Sequence, residues 1–256
     1  MKTLAAFFKK EWMAQLRTGR VWILAGIFAL FGVMNPAIAK LTPWLMEMLS
    51  DTLEGSGLAI TSVTVSALDS WMQFFKNIPM ALIAFVLLEG GIFTREYRTG
   101  TLILALTKGL ERYKVVVAKA VTLIAVWTAG YWLCFGITYG GNTLFWDNGV
   151  ARNLMFSGVC WWAFGLWVVA LMVLFSVVGR GNTLVLLGTG GTVLGATVIG
   201  LIPKIKAYIP TCLMEGNPLI YGVEESRAYI PALVIAGVLC VLCMGVSIPV
   251  FNKKQL

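Results

Sequence analysis

Apolar residues are gathered into six long stretches: Val21–Ala39, Trp71–Thr94, Ala120–Gly140, Met155–Val178, Leu184–Ile202 and Ile230–Phe251. About 20 apolar residues carry a helix across the hydrocarbon of a bilayer, so each stretch is predicted to be a membrane span. The second is interrupted by Lys76 and Glu89, its core starting after Pro79, and the fifth is rich in glycine and threonine. Ahead of the first span, Leu4, Phe8, Trp12 and Leu16 share one i, i+4 row over Leu4–Leu16, with Lys10 and Arg17 opposite. That pattern predicts an interfacial helix lying in the headgroup plane. Glu11, projecting near Phe7 and Phe8, interrupts the stripe.

The polar segments between spans fix the orientation. With the N-terminus inside, 14 of the 20 Lys and Arg residues fall on the inner side, and eight acids (Glu47, Asp51, Glu54, Asp69, Asp147, Glu215, Glu224, Glu225) fall outside. Basic residues are retained on the cytoplasmic side, so both termini are predicted to be cytoplasmic, as an even number of spans requires. Outside, Lys40–Ser70 is long and polar enough to hold short helices, and Pro203–Tyr229 carries charges of both signs with Pro210 and Pro218. Inside, Gly179–Thr183 is a tight turn, whereas Arg95–Lys119 alternates basic and apolar residues. No internal repeat is evident.

Composition agrees. The 256 residues are 59% hydrophobic and 12% charged, with a mean hydropathy of +0.83. A soluble domain carries about 25% charged residues, so the surplus apolar surface must face lipid. The expected fold is an all-α polytopic membrane protein with six transmembrane helices, an N-terminal interfacial helix and both ends inside, and residues 1–256 form a single transmembrane domain. No cleavable signal peptide is expected, because the first apolar run starts only at Val21 and no small-x-small site follows it. The net charge of +8 reads as a topology signal and an anionic-lipid contact, and binding of nucleic acid is not expected.

Several chemistries are excluded. The chain has no histidine, and no Gly-Lys pair, so the phosphate-cradling loop of an NTPase is missing. No second intramembrane carboxylate accompanies Glu89, which lies close to Arg95 near the inner surface, where snorkelling or pairing with a cytoplasmic base is expected over a proton relay. Of the five cysteines only Cys212 lies outside an apolar stretch, so no disulfide framework is expected, and Cys240 and Cys243 read as packing residues. No catalytic residue, metal site or cofactor is expected in this chain.

The inner connection from Glu89 to Lys119 is the most specific feature. Gly100 breaks the helix, and Thr99 or Thr101 can cap a new one running to Leu106, which would show Leu102, Ile103 and Leu106 to a partner. Together with Lys10-Glu11 at the start, the succession Glu96, Gly100, Thr101, Leu102, Arg112 and Lys119 resembles the permease subunits of type-2 ATP-binding-cassette exporters. Those subunits carry E-x-x-x-G-T-L-x-x-L-L after the second span, then a Pro, then R and K. Here Lys108-Gly109 stands at the Pro position and Ala105-Leu106 at the Leu pair.

The resemblance implies a permease that couples to two copies of a separate cytoplasmic ATPase, which would hold ATP and Mg, and that pairs with a second or related permease. The coupling residues it implies are Glu96, Arg98, Thr99, Gly100, Thr101, Leu102, Leu106 and Arg112. Gly188, Gly191, Thr192 and Gly195 are the implied dimer or pathway contacts, with ordinary packing within the chain as the alternative. Phe, Trp, Met and Leu along the spans suit an amphipathic or apolar cargo such as a peptide, antibiotic or lipid. A self-powered transporter or channel, and a non-transporting membrane immunity protein, are the alternative readings. The localisation expected is a plasma membrane, bacterial in type.

Overall fold

At Gly19, whose φ of 72° lies in the left-handed region that glycine enters freely, the chain turns from α1 (Lys2–Arg17) into α2 (Arg20–Leu53). The computed structural model describes residues 2–53, 64–100, 102, 107, 111–179 and 181–254, and no strand occurs among them. After α2 come α3 (Ala67–Glu89), the short α4 (Thr94–Thr99), α5 (Arg112–Thr143), α6 (Leu154–Val178) and α7 (Asn182–Gly200). Two short helices, α8 (Pro203–Lys206) and α9 (Gly216–Ile220), precede the last, α10 (Ile230–Lys253). Six helices are long and apolar enough to cross a membrane, namely α2, α3, α5, α6, α7 and α10.

The spans match the apolar stretches, but their ends differ. The first does not stop near Asn35-Pro36; α2 runs on through Pro36 and Pro43 to Leu53, into the segment expected to be a loop from Lys40. Proline removes a backbone donor and leaves the carbonyl four residues earlier without its helical partner, which in lipid must be replaced. Here the Thr138 hydroxyl donates to the Gly32 carbonyl at 3.1 Å, Asn35 Nδ2 donates to Thr138 at 3.0 Å, and Asn77 Nδ2 donates to Asn35 Oδ1 at 2.8 Å. The third span starts eight residues earlier than its apolar run, at Arg112.

The core is aromatic. Trp71 and Phe74 stack edge-on at 5.5 Å, Phe74 meets Phe135 at 5.7 Å, and Trp127 lies 5.6 Å from Phe85 and 5.9 Å from Phe28. Aromatic pairs favour such tilted contacts. Small residues make room for them: a Cβ at Gly165 would stand 2.1 Å from the Trp127 ring, and one at Gly130 would stand 2.5 Å from Phe28. α2 packs mainly on α3 and α5, α10 mainly on α6, and α7 mainly on α6.

At one end of the bundle, Pro203–Tyr229 folds into α8, α9 and two 3-10 turns. Tyr229 Oη donates to Glu224 at 2.7 Å and to the Glu215 carbonyl at 3.0 Å, and Trp161 Nε1 donates to the Met214 carbonyl at 2.8 Å. Cys212 is buried in this cap, and burial pushes its thiol up to about 11. At the opposite end lie α1 and the C-terminal end of α10. Lys254 Nζ donates to the Val177 carbonyl at 2.6 Å, and its ammonium lies 4.3 Å from the Tyr97 ring centre.

Candidate functional site

At the end that gathers the termini, α1 lies against α5 and α2. The row it buries is Phe7, Glu11 and Gln15, whereas Leu16 is exposed and Phe8 and Trp12 are half-buried. Glu11, the residue that interrupts the apolar stripe, is therefore the one that faces the bundle. Its partner is Lys119, two turns into α5 and 1% exposed. Lys119 Nζ stands 2.9 Å from Glu11 Oε2, 3.0 Å from Glu96 Oε2 and 3.1 Å from the Ile92 carbonyl, with the Phe93 ring 5.4 Å away. Lys10 closes the cluster, 2.5 Å from Glu96 and 3.1 Å from Glu11. Burial pulls the Lys10 ammonium down, but Glu96 and Glu11 outweigh it and hold its pKa above the ordinary 10.5.

Three parts of the chain are joined by this cluster: the interfacial helix, the segment after α3, and the start of α5. Lys119 donates hydrogen bonds to Glu11 and to the Ile92 carbonyl, and its contact with Glu96 Oε2 is an ion pair. Removing one partner of a buried ion pair costs about 3–5 kcal/mol, because the other charge is left unpaired. A second pair lies beside the first. Glu89 is fully buried, accepts from Gln15 Nε2 at 2.6 Å, and stands 3.9 Å from Arg20. It pairs with a base, as expected, but through burial under α1 rather than by snorkelling.

The residues named for coupling separate into groups. Glu96 is in the ionic cluster, and Gly100 ends α4 with a φ of 65°, in the left-handed region. Leu102 is 2% exposed and belongs to the hydrophobic core, so it is not presented to a partner as expected; its apolar side chain is stabilised by burial within this chain. Arg112 faces the last helix: its Nη1 donates to the carbonyls of Phe251 at 3.2 Å, Asn252 at 3.0 Å and Lys254 at 2.6 Å. A guanidinium there caps the C-terminus of α10 and meets the negative end of its dipole. The side chains of Arg98 and Thr99, and the whole of Thr101 and Leu106, lie outside the described residues, and of the helix expected from Thr101 to Leu106 only Leu102 is described.

On α7 the glycines divide. A Cβ at Gly188 would meet the Phe175 ring of α6 at 2.5 Å, so Gly188 serves packing within the chain. A Cβ at Gly191 or Gly195 would meet no atom of another element within 4 Å, and the Thr192 hydroxyl turns back to the Gly188 carbonyl at 2.7 Å. Among the described residues no three His, Cys, Asp or Glu side chains are grouped to hold a metal ion.

A family model described as "ABC-2 family transporter protein" matches residues 5–209. The chain belongs to the ABC-2 transporter family. It is a multi-pass permease of that family, and the match takes in the interfacial helix, the ionic cluster and the first five spans. No curated protein and no solved structure matches the chain.

Sequence reasoning placed Glu96 and Gly100 in the inner segment of this ABC-2 permease but missed the Glu11–Lys119 pair. The two residues are 108 positions apart. The available signal was Lys119 itself, set between Val115-Val116-Val117-Ala118 and Ala120-Val121, an apolar setting that a lysine tolerates only with a partner.

Proposed function

We propose that this chain is the membrane subunit of an ATP-driven exporter, and that the segment from Glu89 to Arg112 passes force from a separate cytoplasmic ATPase to the spans. The observation that carries this reading is the ionic cluster on Lys119. It clamps the segment after α3 to α1 and α5 at once, so a push on that segment moves an interfacial helix and two spans together. Energy then comes from ATP and Mg held by two copies of the partner, and this chain contributes the lever and the path. Closing of the ATPase pair rocks the spans between two packings.

The cargo we infer is apolar or amphipathic. An apolar groove of about 350 Å³ opens between α3, α6 and α7, lined by Leu82, Val86, Val168, Leu186 and Val193. Gly191 and Gly195 leave the α7 surface beside it bare, where a second permease, identical or related, can approach closely.

Two measurements test the reading. Purification in nanodiscs with co-expressed cassette ATPases should give a stoichiometric complex whose ATP turnover rises with cargo. Solute movement by the chain alone in ATP-free liposomes would instead establish a self-powered transporter. Gly100→Val forces a β-branched residue into the left-handed region, at a cost of about 1–2 kcal/mol. Cargo-stimulated turnover should fall at least tenfold while the spans stay folded; undiminished turnover would remove Gly100 from the coupling path.

A further inference from the structure

Beneath the joint between α1 and α2 lies a half-open cavity of about 160 Å³, beside the ionic cluster. A water takes about 30 Å³ of liquid volume, so the space holds a group of several heavy atoms. Three of its lining side chains carry polar atoms with no hydrogen-bond partner; one of them, Glu96 Oε2, is held in an ion pair by Lys119, and the other two are Arg20 and Gln15. Arg20 is 8% exposed and its Nη2 is unpartnered; Gln15 is 4% exposed and its Oε1 is unpartnered. One is a cationic donor and the other a neutral acceptor. Leaving such groups buried and unpaired costs free energy, so the site is built for something that accepts from the arginine and donates to the amide.

The surroundings narrow the choice. Arg20 opens α2, where the free N–H groups of a 34-residue helix favour an anion. Arg95 lines the cavity from α4 and adds a second guanidinium, while the lining acids Glu11 and Glu96 are both engaged by Lys119. Just beyond the cavity, Trp22 and Ile23 are 68% and 52% exposed on α2, an apolar surface along which chains can lie.

We infer that this cavity binds the headgroup of a membrane phospholipid, its phosphate on Arg20 and a donor arm on Gln15, with the acyl chains running down α2 past Trp22. The donor arm is a hydroxyl, as in phosphatidylglycerol, or an ammonium, as in phosphatidylethanolamine; phosphatidylcholine has neither and should be rejected. The inference does not depend on the exporter reading.

Native mass spectrometry of the protein with the three lipids, matched in acyl chains, tests it. Unmodified protein should retain phosphatidylglycerol or phosphatidylethanolamine about tenfold over phosphatidylcholine. Gln15→Leu should erase that preference and keep the phosphate contact. Arg20→Gln should weaken retention of all three, and Arg227→Gln at the opposite end should change nothing. Equal retention of the three lipids by unmodified protein overturns the proposal, without relying on any variant being folded. So does full retention by Arg20→Gln. Binding of soluble glycerol phosphate with no lipid retained would overturn the membrane source and leave the phosphate site.

Discussion

α6 and α7 are neighbours joined by a tight turn, and both are apolar enough to span a membrane, yet they live in different surroundings. The apolar window of α6 is 67% buried within the chain, whereas that of α7 is 11% buried. α6 packs Trp161, Phe164, Trp167 and a run of valines into the core, and Gly165 lets Trp127 press against its backbone. α7 buries only Val185 and Thr189, and turns Leu187, Leu194 and Val198 outward. Hydropathy measures the cost of water and says nothing about which apolar neighbour replaces it. In lipid, a helix with little contact to its own chain is at no loss, and its bare face is available to another molecule.

The contrast can be broken most severely from the packed side. Lys119→Met removes the buried cation shared by Glu11 and Glu96, leaving them only the half-exposed Lys10, and should cost about 3 kcal/mol, the low end for breaking a buried pair. Unfolding followed by denaturant titration in detergent would show it, and adding Glu11→Gln should recover part of the loss. Gly165→Leu drives a side chain into the place of Trp127 and should cost about 3 kcal/mol, at the top of the range for overpacking. A loss below 1 kcal/mol would mean that α6 is less tightly held than its burial implies.

On the exposed rim the effects shrink. Lys206 and Glu215 pair at 2.6 Å with both side chains about 40% exposed, so Lys206→Ala should cost at most about 1 kcal/mol. Its hydrogen bond to Glu215 raises the lysine above its ordinary 10.5, so this contribution is present below pH 10.5 and fades as the pH climbs beyond it. Melting curves of the variant and the parent should differ equally at pH 7 and pH 9 and converge in stronger alkali. The smallest change is expected on α7. Gly191→Leu meets no atom within 4 Å of its Cβ and should leave stability within about 0.5 kcal/mol. If a second permease covers that face, the same variant should nevertheless weaken self-association in sedimentation experiments.

The span pattern was legible because lipid demands long apolar runs, and all six appear where the runs lie. What the sequence could not reveal were ends and partners. α2 outlasts its apolar run, and the carbonyl that Pro36 frees finds its donor on another helix, in Thr138, which Asn35 and Asn77 hold in a chain of hydrogen bonds that no local window contains. Glu11 read as a flaw in an amphipathic stripe because the stripe alone suggested one buried face. α1 has two, one toward lipid and one toward Lys119. Arg112 read as a coupling residue from its motif position, and its neighbours are the final carbonyls of a helix 139 to 142 positions away. Tertiary pairing of charges across such distances leaves no periodic trace.

The proline at position 36 has a mechanical consequence. Gly32 holds its carbonyl partner across the helix boundary, in Thr138, rather than along its own helix. The two halves of α2 therefore share one strut fewer than an unbroken rod, and the missing strut is anchored on α5. A bend at this point meets one internal rung fewer, so the distal half can tilt more readily than in an unbroken helix while the proximal half stays held beside the charged cluster by Arg20. Such a joint lets a displacement at one membrane face arrive at the other as a change of angle instead of a piston stroke.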